Sequence, residues 1–165
     1  MTITAPAEQR RTTELIYRFE GQLAEPYPVG RFDDGIRFHN DFEGTVVDGP
    51  FAGGRIFGLD QFTIRPDGVG YVDAPEVIEV GDVRVSVHVR GYVVPPAGAP
   101  VPSLDDILDP DFAFPDVPFR FTGCALMRTA HPDHAHLNAT VAILEGTVNM
   151  GTGRLDVEAR AADLR

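Results

Sequence analysis

The sequence predicts an all-β protein: a single antiparallel β-barrel of about 8–10 strands with a central cavity. Seventeen glycines and fourteen prolines divide the chain into short segments rich in Val, Ile, Phe and Thr, the residues that are enriched in strands. These segments follow one another at hairpin-like spacing, without the alternation of strands and helices that gives a parallel sheet. A barrel is favoured over a sandwich because closure removes the exposed edges that consecutive hairpins would leave open.

Length and composition are those of one compact domain. The chain has 165 residues and a hydrophobic content of 43%, enough for one core. No apolar run approaches the roughly 18–20 residues of a membrane span, and the N-terminus lacks the basic and apolar regions of a secretion signal. We therefore expect a cytoplasmic protein without a membrane partner. Residues 1–12 are polar and predict a mobile N-terminal arm, and residues 13–165 are expected to form one barrel domain.

The charge and the single cysteine exclude several classes of function. Fourteen basic and twenty-five acidic residues give a net charge of −11, the wrong sign for tracking the phosphate backbone of a nucleic acid. Cys124 has no second cysteine with which to form an intramolecular disulfide or a thiolate metal cluster. Its position in an apolar run predicts a buried, unreactive thiol.

The first two strands are predicted over residues 14–20 and 36–48, where apolar side chains alternate, with a turn at Gly49-Pro50. A longer strand follows over residues 55–65. In it, Asp60 shares one face with the apolar residues Ile56, Phe62 and Ile64. If that face points inward, loss of solvent raises the pKa of Asp60, as suits a general acid or base. A buried ion pair with Arg37 or Arg65 is the structural alternative.

Two hairpins are predicted next. The Pro-Asp-Gly turn at residues 66–68 joins the long strand to residues 70–73, because Pro presets φ and Gly tolerates φ > 0. The second hairpin centres on Gly81-Asp82, and in its outgoing arm valines alternate with polar residues over residues 83–90. That alternation is typical of a half-buried strand.

The region 95–118 is rich in proline and predicts a long irregular connection with at most one helical turn. Loops of this length in compact domains are often functional. Two interpretations stay open: a lid over a pocket, or a surface insertion. The last strands are predicted over residues 119–129, 137–149 and 154–162.

Several spaced motifs occur in a fixed order along the chain. They are Gly35-x-Arg37, Gly49-Pro50 with Gly54, Gly58-Leu59-Asp60, Arg65-Pro66-Asp67-Gly68 followed by Asp73, and Arg128-Thr129 with Leu137-Asn138. Together they resemble the domain-of-unknown-function 3237 family of bacteria and fungi, over roughly residues 13–162. The resemblance implies a small β-barrel with a central cavity. The chain departs from the family pattern at Ala135-His136, where an aromatic residue is common, and at Gly81-Asp82-Val83, where Asp-Gly-Ala is common.

Arg128 and Asn138 would flank the loop of a hairpin and come close together. Arginine offers a fixed fork of donors to a carboxylate or enolate oxygen, and asparagine can donate to an oxyanion. In the structural alternative, Arg128 pairs with Asp133 and Asn138 caps the turn. A third candidate is the cluster of His131, His134 and His136, since neutral imidazoles bind zinc, copper and non-haem iron. Pro132 and Asp133 favour instead a turn with solvated histidines.

These residues predict a barrel that binds a small organic molecule. No nucleotide-binding fingerprint occurs, so nucleotide cofactors are unsupported, and the chemistry that we expect needs no cofactor. Asp60, Arg128 and Asn138 are the expected catalytic residues. The expected substrate-binding residues are Phe38, Phe62, Tyr71, Phe121 and His136. We expect lyase, isomerase or cyclase chemistry on a carbonyl or polyketide-like compound, in which Asp60 moves a proton while Arg128 and Asn138 steady an enolate.

Two alternatives from other classes remain. The first is a binding protein for a hydrophobic small molecule that catalyses nothing. The second, weaker one is a metalloenzyme built on the cluster of His131, His134 and His136. Exposed apolar side chains on the outer barrel surface would favour a homodimer.

Overall fold

The computed structural model describes residues 13–162, which form an antiparallel β-barrel. Its strands are β1 (Leu15–Leu23), β2 (Tyr27–Phe32), β3 (Gly35–Asp48), β4 (Arg55–Ile64), β5 (Gly70–Val80), β6 (Val83–Val94), β7 (Pro118–Arg128), β8 (Val141–Asn149) and β9 (Arg154–Ala161). One helical turn, α1 (Leu104–Ile107), precedes β7, and a 3-10 helix (Pro132–Ala139) precedes β8. The predicted N-terminal arm, residues 1–12, lies outside the described residues.

Neighbouring strands pair in chain order from β2 to β9, and β9 pairs with β1. The barrel closes because β1 also pairs with β3, which leaves β2 as an extra strand attached to β3 alone. Eight strands therefore form the closed wall. The predicted antiparallel barrel of about 8–10 strands is confirmed.

Closure of the barrel depends on two glycines that face each other across β1 and β3. Gly21 lies directly opposite Gly44. A Cβ atom on Gly44 would lie 2.4 Å from the carbonyl oxygen of Glu20 and 2.8 Å from the Cα atom of Gly21. The two backbones can approach this closely only because both positions lack a side chain.

Side chains alternate between the barrel interior and the outer surface. The predicted inward face of β4 is correct, since Ile56, Asp60, Phe62 and Ile64 are all buried. On β6 the valines at 85, 87 and 89 point inward, while the polar residues between them are exposed. The core is thus one continuous interior rather than two packed sheets.

Two sequence predictions are wrong at β7 and β8. Cys124 is exposed rather than buried, because it alternates with the buried Ala125 and lies beside Ile143 on the outer surface. β8 begins at Val141 rather than at residue 137. Pro132 starts the 3-10 helix instead, and the buried Leu137 anchors that helix to the core.

The region 95–118 contains a single helical turn, in agreement with its composition. Ser103 caps α1 reciprocally: its hydroxyl accepts from the Asp106 amide at 3.1 Å, and its own amide donates to the Asp106 carboxylate at 3.0 Å. Ile107 is buried, and Phe114 packs against the core. Within residues 13–162 no helix has the length and apolar character needed to cross a membrane.

Candidate functional site

Two adjoining cavities occupy the barrel interior and one of its ends. The inner cavity has a volume of about 50 Å³ and is lined by apolar side chains together with Asp60 and Glu76. The outer cavity has a volume of about 250 Å³ and is lined by Phe38, Asn40 and Phe62, among others. Leu23 lines both cavities, so the two meet at its side chain.

The outer cavity is large enough for a small organic ligand, since an apolar cavity of about 150 Å³ already binds benzene. Its rim includes the β1–β2 connection (residues 24–26) and the β8–β9 turn (residues 150–153). Phe114, from the region 95–118, completes the lining. One side chain of the long loop therefore lies at the cavity, as a lid would require.

Asp60 is buried in β4, with 9% of its surface exposed. The pKa of Asp60 is raised to about 7, chiefly by burial; a hydrogen bond from the Asp73 amide opposes the rise, and the charge of Asp73 adds a smaller increase. That hydrogen bond is long, 3.4 Å from the Asp73 nitrogen to Oδ1. Asp60 therefore exchanges a proton in the neutral pH range.

Neither arginine suggested as an ion-pair partner reaches Asp60. Arg37 donates to the hydroxyl of Thr63 at 3.3 Å, and its guanidinium lies 4.0 Å from Asp34. Arg65 pairs with Asp67 at 2.5 Å. The structural alternative of a buried Asp60–arginine pair is therefore wrong.

Glu76 is a second buried carboxyl, which the sequence analysis missed. It lies on β5 in the alternating series Val72, Ala74, Glu76, Ile78, and only 7% of its surface is exposed. Burial, and to a smaller extent the charge of Asp60, raise the pKa of Glu76 to about 8. Its Oε2 atom has no hydrogen-bond partner among the described residues. The same period-two alternation that indicated Asp60 could have indicated Glu76.

Asn40 and Tyr17 are two further buried polar residues of the barrel interior. Asn40 lies directly opposite Asp60 in the β3–β4 register, and its Oδ1 atom is buried without a partner within residues 13–162. The Tyr17 hydroxyl on β1 is likewise buried and unpaired in that part of the chain. Burial, and then the charge of Glu76, raise the pKa of Tyr17 well above its usual value. The phenol therefore stays neutral.

The part of the chain that the structure describes places no cationic side chain beside these groups. Among the described residues, neither cavity is lined by arginine or histidine. The chain also contains no lysine, since all fourteen basic residues are arginine. Within residues 13–162 no lining side chain supplies a positive charge to the two carboxyls, so protons or a bound ligand would neutralise them.

Arg128 and Asn138 lie outside the cavities. Arg128 is exposed on the outer face of β7, opposite Ser86 of β6. The Asn138 side chain accepts from the Thr129 amide at 2.8 Å and donates to the Thr129 carbonyl at 3.0 Å, which holds the loop closed. The structure does not bring these two residues to Asp60, and this corrects the predicted three-residue site.

Some of the residues predicted to bind the substrate line the cavities, and others lie outside them. Phe38 and Phe62 line the outer cavity and Phe121 lines the inner one. Tyr71 instead lies on the outer surface, where its ring is 5.8 Å from that of Tyr92. His136 is exposed in the 3-10 helix. Each of the two misplaced residues lies on an element face that points away from the interior.

The three clustered histidines do not form a metal site. Their ring centroids are 5.4 Å apart for His131 and His134, and 6.4 Å apart for His134 and His136. His134 instead packs on Phe51 at 4.9 Å. Within residues 13–162, no group of three or more His, Cys, Asp or Glu side chains could hold a metal ion.

A larger depression of about 1000 Å³ lies on the outer surface, over the β1–β3 closure. Its acidic groups are exposed and ion-paired, as in the pair of Glu43 with Arg55 at 3.1 Å. Asp156 pairs with Arg18 at 2.8 Å. This depression therefore lacks the buried, unpaired groups that mark the interior as the functional candidate.

Comparisons with known proteins identify a family and several solved structures that resemble this barrel. The pattern of a family described as "Protein of unknown function (DUF3237)" matches residues 11–163. No curated protein matches the chain. A solved protein of unknown function from Clostridium acetobutylicum is 18% identical, with a TM-score of 0.70 and coverage of 90% of this chain and 96% of that one.

Two further solved structures share the fold. A β-barrel-like protein from Acinetobacter baumannii is 21% identical, with a TM-score of 0.68 and coverage of 97% of this chain and 99% of that one. An enzyme from Penicillium herquei is 19% identical, with a TM-score of 0.52 and coverage of 92% and 98%. At these identities the likeness establishes the fold alone.

Proposed function

Because the chain belongs to the DUF3237 family, whose name assigns no reaction, we propose its function from its own cavity. The protein is a cofactor-independent enzyme that transfers a proton on a small carbonyl or polyketide-like compound, as a lyase, isomerase or cyclase. Asp60 is the group that takes and returns the proton. The outer cavity holds the body of the substrate.

One observation carries this proposal: Asp60 lies in an apolar cavity without a cationic partner among the described residues. Its pKa of about 7 gives comparable populations of carboxylate and carboxylic acid at neutral pH. A general base is most effective when its pKa lies near the working pH. An ion-paired Asp60 with a low pKa would have favoured a protein that only binds its ligand.

The mechanism follows from where the apolar side chains lie. Phe38 and Phe62 pack against the body of the substrate in the outer cavity, and its carbonyl end enters the inner cavity beside Asp60. The Asp60 carboxylate removes a proton from the carbon next to the carbonyl, which forms an enolate. Return of the proton to another carbon gives an isomer. Alternatively, the enolate expels a β-hydroxyl group, which leaves as water with the proton that Asp60 took, and this gives a lyase product and restores the carboxylate.

The structural relative from Penicillium herquei is described as an enzyme, which is compatible with catalysis on this fold. The second candidate is a binding protein for a hydrophobic small molecule. The apolar character of most of the lining favours it. The enzyme and the binding protein differ only in whether the bound compound is converted to a product.

The test is exchange of α-protons for deuterium in small ketones, with 2-tetralone as the first probe, followed by proton NMR in D₂O at neutral pH. The wild-type protein should accelerate exchange, and Asp60→Asn should lower the rate by about 10²-fold or more. Asp133→Asn, on the exposed 3-10 helix, is the matched control and should leave the rate unchanged. Undiminished exchange by Asp60→Asn refutes the role of Asp60. Saturable binding without exchange favours the binding protein.

A further inference from the structure

We propose that Glu76 is the second catalytic group of this site, and that the substrate is an uncharged carbonyl compound whose oxygen accepts the Glu76 proton. This inference rests on the proposed proton transfer by Asp60. Glu76 is the general acid that complements the general base Asp60, and the charge of the site determines that the substrate is uncharged.

The geometry brings the two carboxyls to one space. Asp60 on β4 and Glu76 on β5 both line the inner cavity, and Glu76 lies opposite Gly58, two residues before Asp60. The Oε2 atom of Glu76 is fully buried and has no partner in residues 13–162. A buried carboxyl with a free oxygen is costly for the fold, so a ligand that uses this oxygen would recover part of that cost.

The surroundings of Glu76 keep it protonated. The titratable groups that face it are the neutral phenol of Tyr17 from β1 and the carboxyl of Asp60 from β4. Asn40 on β3 is uncharged, and β6 to β9 contribute only apolar side chains to the inner cavity. With its pKa raised to about 8 by burial, Glu76 carries a proton at neutral pH and is a hydrogen-bond donor.

The charge of the interior selects the ligand. A carboxylate or phosphate would meet three acidic residues, Glu25 at the outer cavity and Asp60 and Glu76 at the inner one, and no arginine, lysine or histidine among the lining residues. Anions are therefore excluded by repulsion and by the cost of desolvation. A neutral carbonyl oxygen instead accepts from the Glu76 carboxylic acid. An amine is the competing class, because it would pair with the ionised carboxyls.

The chemical step balances without an external oxidant or reductant. Asp60 takes the α-proton, and the electron pair of the broken C–H bond forms the carbon–carbon double bond of the enol. The carbonyl oxygen takes the proton of Glu76, which leaves Asp60 protonated and Glu76 ionised. Reversal with delivery of the proton to a different carbon yields the isomer and restores both groups. The Tyr17 hydroxyl, unpaired and near Glu76, can stabilise the transient carboxylate.

The catalytic test uses the same 2-tetralone exchange assay with Glu76→Gln, and with Glu145→Gln on the exposed face of β8 as control. We expect Glu76→Gln to lower kcat by about 10-fold to 100-fold with a nearly unchanged KM. The fall in rate that the wild type shows above about pH 8 should disappear in Glu76→Gln, while the acidic limb set by Asp60 stays. If Glu76 had only a structural role, the substitution would not remove the basic limb of the pH–rate profile. A wild-type rate and pH profile in folded Glu76→Gln overturns the inference.

A second measurement needs no turnover. In protein labelled with carbon-13 at the glutamate side-chain carboxyls, the resonance missing from Glu76→Gln should titrate near pH 8. Titration in the ordinary glutamate range overturns the inference even where exchange depends on Asp60. Absence of exchange by the wild type on any ketone, with Glu76 titrating near pH 8, refutes the proposed proton transfer and with it the catalytic role of Glu76.

The charge class is tested by the binding of three compounds with one ring system: 2-tetralone, a tetralone that carries a carboxylate, and 2-aminotetralin. We expect the neutral ketone to bind at least 10-fold more tightly than the carboxylate at pH 7, and more weakly above pH 8 as Glu76 ionises. Preferential binding of the amine that strengthens from pH 6 to pH 9 overturns the assignment of an uncharged substrate.

Discussion

Asp60 and Glu76 lie on adjacent strands and line one buried cavity, and no cationic side chain of the described residues lines it with them. Two acidic groups placed together in an apolar interior reduce the stability of the fold when they ionise. A barrel interior of this size could have been filled by apolar side chains at both positions. The arrangement therefore favours function over stability.

The first prediction concerns stability as a function of pH. Burial raises the pKa of Glu76 from 4.5 to about 8 and that of Asp60 from 3.8 to about 7. A group with a raised pKa in the folded state stabilises the fold fully below its unfolded pKa, and that stability is lost as the pH rises through the folded pKa. We expect the free energy of unfolding to fall by several kcal/mol, on the order of 1.4 kcal/mol per pKa unit, between about pH 5 and pH 9.

Urea denaturation at pH 5, 7 and 9 measures this loss. Glu76→Gln removes the ionisable group and should flatten the dependence, with a stability above that of the wild type at pH 9. Glu145→Gln, on the outer surface, should retain the wild-type slope. Equal slopes in wild type and Glu76→Gln would show that Glu76 is ionised normally in the folded protein.

The second prediction tests the region 95–118 as a lid. Phe114 is the residue of this loop that lines the outer cavity, so Phe114→Ala should raise KM or Kd for a ketone by about fivefold, since partial loss of an apolar contact costs about 1 kcal/mol. Val101→Ala in the same loop, where the exposed side chain packs on Gly68, should leave binding unchanged. Unchanged binding in Phe114→Ala would make the loop a surface insertion.

The third prediction assigns Asn138 to structure. Its side chain makes two hydrogen bonds to the backbone of Thr129, so Asn138→Ala should lower the free energy of unfolding by about 1 kcal/mol without lowering catalytic activity. The side chain in Asn138→Asp can accept the hydrogen bond from Thr129 but cannot donate the other one. Its free energy of unfolding should lie between those of the wild type and of Asn138→Ala. A loss of activity in Asn138→Ala at unchanged stability would restore the site role predicted from the sequence.

The fourth prediction tests barrel closure. A methyl group on Gly44 would lie 2.4 Å from the Glu20 carbonyl oxygen, so Gly44→Ala must separate β1 from β3 and should cost about 1–3 kcal/mol. The neighbouring exposed Thr45 provides the control, and Thr45→Ala should change stability by less. Thermal unfolding followed by circular dichroism measures both. A Tm equal to that of the wild type would mean that the β1–β3 pairing does not stabilise the barrel.

The candidate site was predictable only where alternation identified a face. Asp60 is predictable because Ile56, Phe62 and Ile64 share its phase, and Glu76 is predictable from Val72, Ala74 and Ile78 in the same way. The hairpin loop that Arg128 and Asn138 flank predicts that these two residues lie close together, but it does not predict that they lie close to Asp60. Proximity along the chain cannot show on which side of a barrel wall a loop lies.

The sequence by itself determined the all-β class, the antiparallel order and the inward face of β4, because these follow from turn residues and from period-two alternation within each strand. Only the tertiary structure decided that β1 closes on β3 and that Asp60, Glu76, Asn40 and Tyr17 share one interior. The reason is that pairing between strands that are distant in the chain determines which inward-facing side chains lie close to one another. The strand pairing therefore also decides that no cationic side chain of residues 13–162 lies beside the two carboxyls, and this is why both pKa values are raised.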